Sequence, residues 1–435
     1  MKSKAEKGAQ KQTATESQPL ERLRQMLLPM VAGISATKQH LVEWVHGVGL
    51  EALKAVLEES AEGLAGKKGG RQAGRSANHW GKTRTELPFG GRRVVIERPR
   101  VMSTRNAAGR RSELGLPAVE HFKAVDPLPE RVVNQILLGV STRGYEASLE
   151  PRPTTVPSRG ASKSAASRQL IKRTRSAMDE QLGRRLDDVR LIGLYLDGIV
   201  VARQSVVVAL GLAEDGSKVP LGLWHGSTEN STVCTALLQD LLKRGLQIEG
   251  RVLCVIDGGS GLRKALTDVL GDLAVVQRCQ VHKLRNLRDH LPKNCHAYVI
   301  GAMREAYKAT NADTARKRLK GVVTWLENAG HEDAAGSLRE GLEETLTITK
   351  LGLPRTLSRS LATTNPIESL MSSVRRVTRN VKRWRGGDMI KRWAALGVFS
   401  AQQRFRRIKG HRDMPSLVKA LRPTSSRQEV EKAVA

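Results

Sequence analysis

Residues 191–226, LIGLYLDGIVVARQSVVVALGLAEDGSKVPLGLWHG, decide how the chain is read. Three β-rich runs, LIGLYLDGIV, SVVVALGLA and VPLGLWHG, are separated by polar turns such as Glu214-Asp215-Gly216. Runs this close in sequence pair as an antiparallel meander. Towards the C-terminus, Ser231–Arg244 carries Val233, Leu237, Leu238 and Leu241 at helical spacing. The apolar run VLCVI (252–256), a helix near 261–270, the short strand LAVVQ and a helix over His282–His290 follow. Strands joined through helices run parallel, so a mixed sheet is expected.

The order three strands, helix, strand, helix, strand, helix is that of a ribonuclease H-like α/β domain. Its first part is expected over 189–290. Residues 291–362 hold no convincing strand; Met303, Ala306 and Tyr307, then Leu319, Val322, Val323 and Leu326, then Leu338, Leu342 and Leu346 recur at helical spacing. This predicts an all-helical insertion, after which basic helices over 363–421 complete the domain. Residues 422–435 read as a polar tail.

Upstream the character differs. Residues 1–20 are polar and expected to be disordered. Residues 21–64 have helical periodicity through Leu41, Trp44, Val45, Val48, Leu53, Val56 and Leu57, and 66–84 read as a basic, glycine-rich linker. In 84–103, Phe89-Gly90-Gly91 turns a hairpin whose return strand holds Val94, Val95 and Ile96. The segment 21–115 is therefore a helical region, linker and β-hairpin. Residues 116–188 return to helices. A break at Gly139–Arg143, then the Ser/Arg/Lys-rich helix Ser162–Arg185, fits a helix-turn-helix-like DNA reader with Ser164, Ser167, Arg168, Lys172 and Arg175 facing outward. An ordinary solvated basic helix explains the same charges.

The chain has 435 residues and a net charge of +30, which points to a polyanionic partner. Aromatics are only 3%, against a single-strand binder built on stacked bases. No apolar run of about 18 residues exists to span a bilayer, and the N-terminus lacks a secretory h-region. Four cysteines without a CxxC pair suit free thiols in a reducing compartment. Charge is uneven: residues 191–261 hold 5 Lys+Arg against 7 Asp+Glu, whereas 375–412 hold 13 Lys+Arg against one Asp. A mildly acidic centre with basic arms suits carboxylates that hold metal ions and arginines that neutralise phosphate.

Three carboxylates stand out: Asp197 in YLDG, Asp257 after VLCVI, and Glu368 in TTNPIES. Two-metal phosphodiester chemistry needs carboxylates that converge although distant in sequence, and magnesium prefers such hard oxygen ligands. Each has a structural explanation as well. Asp-Gly is a common turn pair, and Glu368 follows a candidate cap at Asn365, with Pro366 as first helical residue, where a capping-box glutamate belongs. Ser372, Arg375 and Arg379 share the helical face of Glu368. Cys279 and His282 are three apart; with Cys295 and His296 they allow a structural zinc, at a spacing that matches no common zinc module, or a buried cysteine beside a hydrogen-bonded histidine.

YLDG (195–198), the Asp-Gly at 257–258 followed by Gly-Leu at 261–262, QRCQVHKLRN (277–286), TTNPIES (363–369) and RFRRIKG (404–410) together resemble bacterial insertion-sequence transposases of the mutator (IS256-like) family. The resemblance runs from about 120 to 421, and the Cys-x2-His and Asn-x-x-Glu contexts are its most specific parts. It implies a catalytic Asp-Asp-Glu triad of Asp197, Asp257 and Glu368 at separations of 60 and 111 residues, with two Mg²⁺ (or Mn²⁺) ions. His282 supports the site, as do Cys279 and Asn365. It implies nicking at terminal inverted repeats and attack of a 3′-hydroxyl on target DNA by a homodimer or larger assembly, in the bacterial cytoplasm at the nucleoid. The expected DNA contacts are Arg168, Lys172, Arg175, Lys283, Arg285, Arg375, Arg376, Arg379, Lys382 and Arg383, with Arg385 and Arg392 also free for phosphates. Trp325 is either a base-stacking residue or a core tryptophan, while Trp384 and Trp393 pack the last helices. A nuclease or resolvase that cuts without joining, and a DNA-binding regulator with an inactive catalytic fold, are the alternatives.

Overall fold

The computed structural model describes residues 38–70, 74–104, 109–151, 156–226, 230–379 and 381–422. The expected tail at 1–20, the helix over 21–37 and the tail beyond Arg422 lie outside the described residues. The chain divides into two compact units, one ending at Arg173 and one beginning at Thr174.

In the first unit, α1 (Lys38–Ala65) precedes the hairpin β1 (Ala77–Phe89) and β2 (Arg92–Ser103). Phe89 pairs with Arg92 across Gly90-Gly91, both at positive φ (58° and 80°), which a tight two-residue hairpin turn requires. β3 (Glu113–Leu114) and β4 (Ser158–Arg159) both pair with β2. Leu50, Leu53, Leu57, Ala61 and Ala65 form one stripe of α1, buried against Leu87, Val94, Ile96 and Val101. Val45 and Val56, expected on that face, are exposed, because the stripe through Leu53 and Leu57 takes the contact. The expected linker also shortens: residues 77–84 are strand, held by pairing with β2 and by buried Ala77. Next come α2 (Pro117–Ala124) and α3 (Leu128–Leu137). The basic helix α4 (Lys163–Gly183) begins only after a 3-10 turn (Glu146–Ser148) and β4, so Gly139–Arg143 does not lead directly into it. The division between the units falls within α4.

The second unit is built on a five-stranded mixed sheet. β5 (Leu191–Val201), β6 (Gln204–Ala213) and β7 (Lys218–Gly226) form the antiparallel meander. α5 (Ser231–Lys243) leads to β8 (Val252–Ile256), and α6 (Ser260–Leu270) to β9 (Ala274–Arg278). The order is β7-β6-β5-β8-β9, with β8 parallel to both neighbours. Both faces are covered, which explains why β5 and β8 read as nearly continuous apolar runs. On one face Leu194, Leu196, Cys254 and Ile256 meet Leu237, Leu241, Leu262 and Leu266 of α5 and α6.

From α7 (Gln280–Asp289) the chain enters a helical stretch: α8 (Lys293–Tyr307), α9 (Ala312–Asn328), α10 (Glu332–Arg339) and the short α11 (Leu342–Thr345), α12 (Thr347–Lys350) and α13 (Arg355–Leu361). Met303, Leu319, Val322, Leu326, Leu338 and Leu346 close its own core. α14 (Asn365–Thr378), α15 (Gly387–Gln402) and α16 (Met414–Leu421) return to the sheet. Ile367, Leu370 and Val374 of α14 pack with Tyr195, Ile199 and Val255 on the second face. Gly397 lets α15 approach α14 closely, since a Cβ there would stand 2.7 Å from the Val374 backbone. Arg422, expected in a polar tail, is tied in by hydrogen bonds to Glu214 (2.5 Å) and to the Leu191 carbonyl (2.9 Å).

Candidate active site

Asp197 lies within β5 rather than in a turn, since the strand continues to Val201. By two-residue alternation it shares the face of Tyr195 and Ile199, which is the face that α14 covers. Asp257 directly follows β8. The parallel register pairs Gly193 with Leu253, Leu194 with Cys254 and Tyr195 with Val255, a constant offset of 60. Two residues further, that offset brings Asp197 level with Asp257.

Each carboxylate takes a local backbone donor: Gly198 N–H to Asp197 Oδ1 and Gly259 N–H to Asp257 Oδ1, both at 2.9 Å. Gly258 adopts φ 110°, and a Cβ there would meet Arg278 Nε at 2.1 Å. Only glycine allows the chain to leave β8 this tightly beside the Arg278 side chain.

The third carboxylate arrives through α14. Its N-cap is Thr364, not the expected Asn365, which is the exposed first helical residue. Fully buried Thr364 donates its hydroxyl to Glu368 Oε1 at 2.9 Å. The Thr364 N–H points to Cys279 Sγ (3.4 Å), so Glu368 does not close a capping box on it. Cys279 in turn caps α7, accepting the His282 N–H at 3.4 Å, while its own N–H donates to Ile256 O at 2.8 Å. These bonds join the ends of β8 and β9, the start of α7 and the start of α14. His282 Nδ1 lies 3.3 Å from the Thr364 hydroxyl, and its Nε2 lies 3.6 Å from Glu368 Oε1.

The electrostatics report the same convergence. Burial raises the Asp197 carboxyl to about 6, and the charges of Asp257 and, more weakly, Glu368 push in the same direction. Burial pushes the Cys279 thiol up, but hydrogen bonds from His282 and Thr364 outweigh it and hold it below its ordinary value. The bond to Cys279 raises His282, and Glu368 and Asp257 add to that.

A match to the family described as "Transposase, Mutator family" spans residues 119–406 and includes every one of these side chains. The chain belongs to the Mutator family of transposases. Among curated proteins it is 27% identical over 345 residues to the transposase for insertion sequence element ISRM5 of Rhizobium meliloti, covering 78% of this chain and 81% of that protein. It is 29% identical over 207 residues to the ISRM3 transposase of the same organism, covering 48% and 50%. To the transposase of IS256 in transposon Tn4001 of Staphylococcus aureus it is 31% identical over 181 residues, covering 40% and 44%. The chain thus spans about half the length of the ISRM3 protein and less of the IS256 protein.

The other expected positions divide. Arg168, Lys172, Arg175, Arg375, Arg376, Arg379, Lys382 and Arg383 are exposed. Arg285 is exposed and 3.9 Å from Glu368 Oε1. Lys283, expected on DNA, is fully buried and donates to the carbonyls of Ser337 (2.5 Å) and Glu340 (2.6 Å). It staples α7 to the end of α10, with its pKa pushed down to about 8, first by burial and then by nearby Arg278. Arg392 is not free either, because it hydrogen-bonds the Thr174 hydroxyl at 3.2 Å. Trp325 is half-buried and packs at a tilt against exposed Tyr298, with centroids 4.6 Å apart, while Trp384 and Trp393 pack among the last helices. The zinc set does not assemble: Cys295 faces His331 at 3.6 Å and His296 bonds the Leu291 carbonyl. Thr364 and Arg278 escaped the sequence reading. Their only trace was their place inside TTNPIES and QRCQVH. No described helix is long and apolar enough to cross a membrane.

Proposed function

We propose that this chain is a DNA transposase that cleaves strands at the terminal inverted repeats of an insertion sequence. It then joins the freed 3′-hydroxyl to target DNA. The observation that carries the reading is the meeting of Asp197, Asp257 and Glu368 beside His282, where the parallel pairing of β5 with β8 runs out and α14 begins. The meander, the two parallel strands and the helical stretch before α14 support a ribonuclease H-like domain with a helical insertion. That these relatives are transposases of insertion sequences supports the activity.

Three hard carboxylate donors, one destabilised as an anion by burial and then by its neighbours' charge, fit Mg²⁺ or Mn²⁺. Two such ions, when bound, activate the attacking water or hydroxyl and stabilise the leaving oxygen. The chain's own residues supply the rest. Thr364 holds Glu368 by a hydrogen bond, His282 stands 3.6 Å from the same carboxylate oxygen, and Arg285 offers a cation beside it. Exposed Arg375 on α14 and Arg379 at its C-cap follow Glu368 and are offered as phosphate contacts. Arg168, Lys172 and Arg175 on α4 would add contacts to the terminal repeats. The assembly is a homodimer or larger, acting on double-stranded DNA at the bacterial nucleoid.

The test is a strand-transfer assay with labelled element ends. Joined products from the wild type, and none from Asp197→Ala, Asp257→Ala or Glu368→Ala, are expected. Cleavage without joining would indicate a nuclease or resolvase. DNA binding with no cleavage at all would indicate a regulator.

A further inference from the structure

Glu368 belongs to a second constellation, in which Cys279 and His282 stand where the triad has Asp197 and Asp257. The Cys279 sulfur, a His282 ring nitrogen and a Glu368 oxygen all lie within 4.8 Å of one another. Nε2 of His282 is 3.6 Å from Glu368 Oε1. Donors about 2.0–2.3 Å from a tetrahedral ion stand roughly 3.3–3.8 Å apart, so a small side-chain movement closes this set on one ion. The sulfur already receives two backbone donors, the N–H of His282 and the N–H of Thr364, each at 3.4 Å, and the Thr364 hydroxyl, whose proton goes to Glu368, lies 3.3 Å from it. His282 and Glu368 are half-buried, which leaves an approach from solvent, and three protein donors leave a fourth position for water.

We propose that Cys279, His282 and Glu368 form a binding site for a soft divalent ion of the zinc class, and that its occupation inhibits the protein. Thiolate and imidazole select zinc or cobalt over magnesium, which prefers oxygen alone. An ion seated there draws Glu368 towards sulfur and away from Asp197 and Asp257. The inhibition rests on the assignment of Glu368 to the magnesium site; the binding does not.

Cobalt(II) titration of the full-length, metal-free protein tests the binding. A thiolate-to-cobalt charge-transfer band in the near ultraviolet is expected, abolished in Cys279→Ser and in His282→Ala. The band should persist in Cys295→Ser, which disrupts the other Cys–His pair of the helical stretch. It should also persist in Asp257→Asn, which leaves all three donors in place. Absence of the band in the wild type overturns the proposal, as does its survival in a folded Cys279→Ser or His282→Ala protein. Micromolar zinc should inhibit wild-type, magnesium-dependent cleavage, and Cys279→Ser should need at least about ten-fold more, each measured against its own zinc-free rate. Equal zinc sensitivity overturns the inhibitory role. Full cleavage activity in Asp257→Asn would instead sink the catalytic reading and leave the metal site standing.

Discussion

Thr364 and Glu368, one helical turn apart, are joined by a 2.9 Å bond from hydroxyl to carboxylate. Because Thr364 is fully buried and its N–H is committed to Cys279, this bond fixes the third carboxylate from the protein side rather than from solvent. Thr364→Val keeps the shape and removes the donor. It should cost about 1–2 kcal/mol of stability, cut the cleavage rate roughly ten-fold, and raise the Mg²⁺ concentration needed for half-maximal rate. Thr364→Ser should restore most of both. A Val variant with wild-type magnesium dependence would show that Glu368 is held by something else.

Asp197 gives a pH prediction. Its folded-state pKa is raised from 3.8 to about 6, mainly by burial and then by Asp257. Between those values the folded protein binds a proton that the unfolded chain has released. The ionised group therefore costs stability above pH 6, and the cost fades as the pH falls through 6 towards 3.8. Without divalent ions, Asp197→Asn should be the more stable protein at pH 7.5, by at most about 3 kcal/mol, and the gap should close near pH 4. Urea unfolding at the two pH values measures it. Divalent-ion affinity should rise with pH through 6 in the wild type, as the carboxylate sheds its proton.

Lys283 and Arg375 make opposite predictions although both are basic residues near the site. Lys283→Met takes a buried donor from the Ser337 carbonyl and leaves the Glu340 carbonyl with Arg278. It should lower stability by about 2–4 kcal/mol and leave the salt dependence of DNA binding unchanged. Arg375→Ala or Arg379→Ala should leave stability alone and flatten the salt slope by about one phosphate contact each. Fluorescence anisotropy across a salt series separates the two classes.

Gly258→Ala should be worse than an ordinary loop substitution. The backbone is at φ 110° and the added methyl would collide with the Arg278 guanidinium, itself hydrogen-bonded to the Glu340 carbonyl at 3.0 Å. A loss of about 2–4 kcal/mol is expected, with cleavage falling further because Asp257 is the preceding residue. Thermal unfolding and cleavage rate would be compared directly, and a neutral substitution would contradict this reading of the turn.

The sheet was legible because its strands are buried on both faces and so carry long apolar runs, punctuated by polar turns; β5 to β9 follow the expected order. Asp197 and Asp257 stood out because they interrupt or end such runs, although an Asp-Gly turn explained each as well, and Glu368 looked equally like a capping-box residue. What escaped is what tertiary contact decides. Lys283 looks identical to a phosphate-binding lysine until α10 is laid over it. Thr364 looks like half of a Thr-Thr pair until its hydroxyl is seen between Cys279 and Glu368. Residues 77–84 read as linker because glycine and charge obscured a strand that a partner strand stabilises.

The shared register of β5 and β8 has a consequence for how this site can change. Side-by-side strands hold Asp197 and Asp257 level whatever length of chain runs between them, so α5 and its loops could grow or shrink without parting the pair. A one-residue slip within either strand, by contrast, would turn one acid to the opposite side of the sheet. The tolerance of this centre to insertion is therefore sharply positional: wide in the crossover, nil along a few consecutive peptide groups.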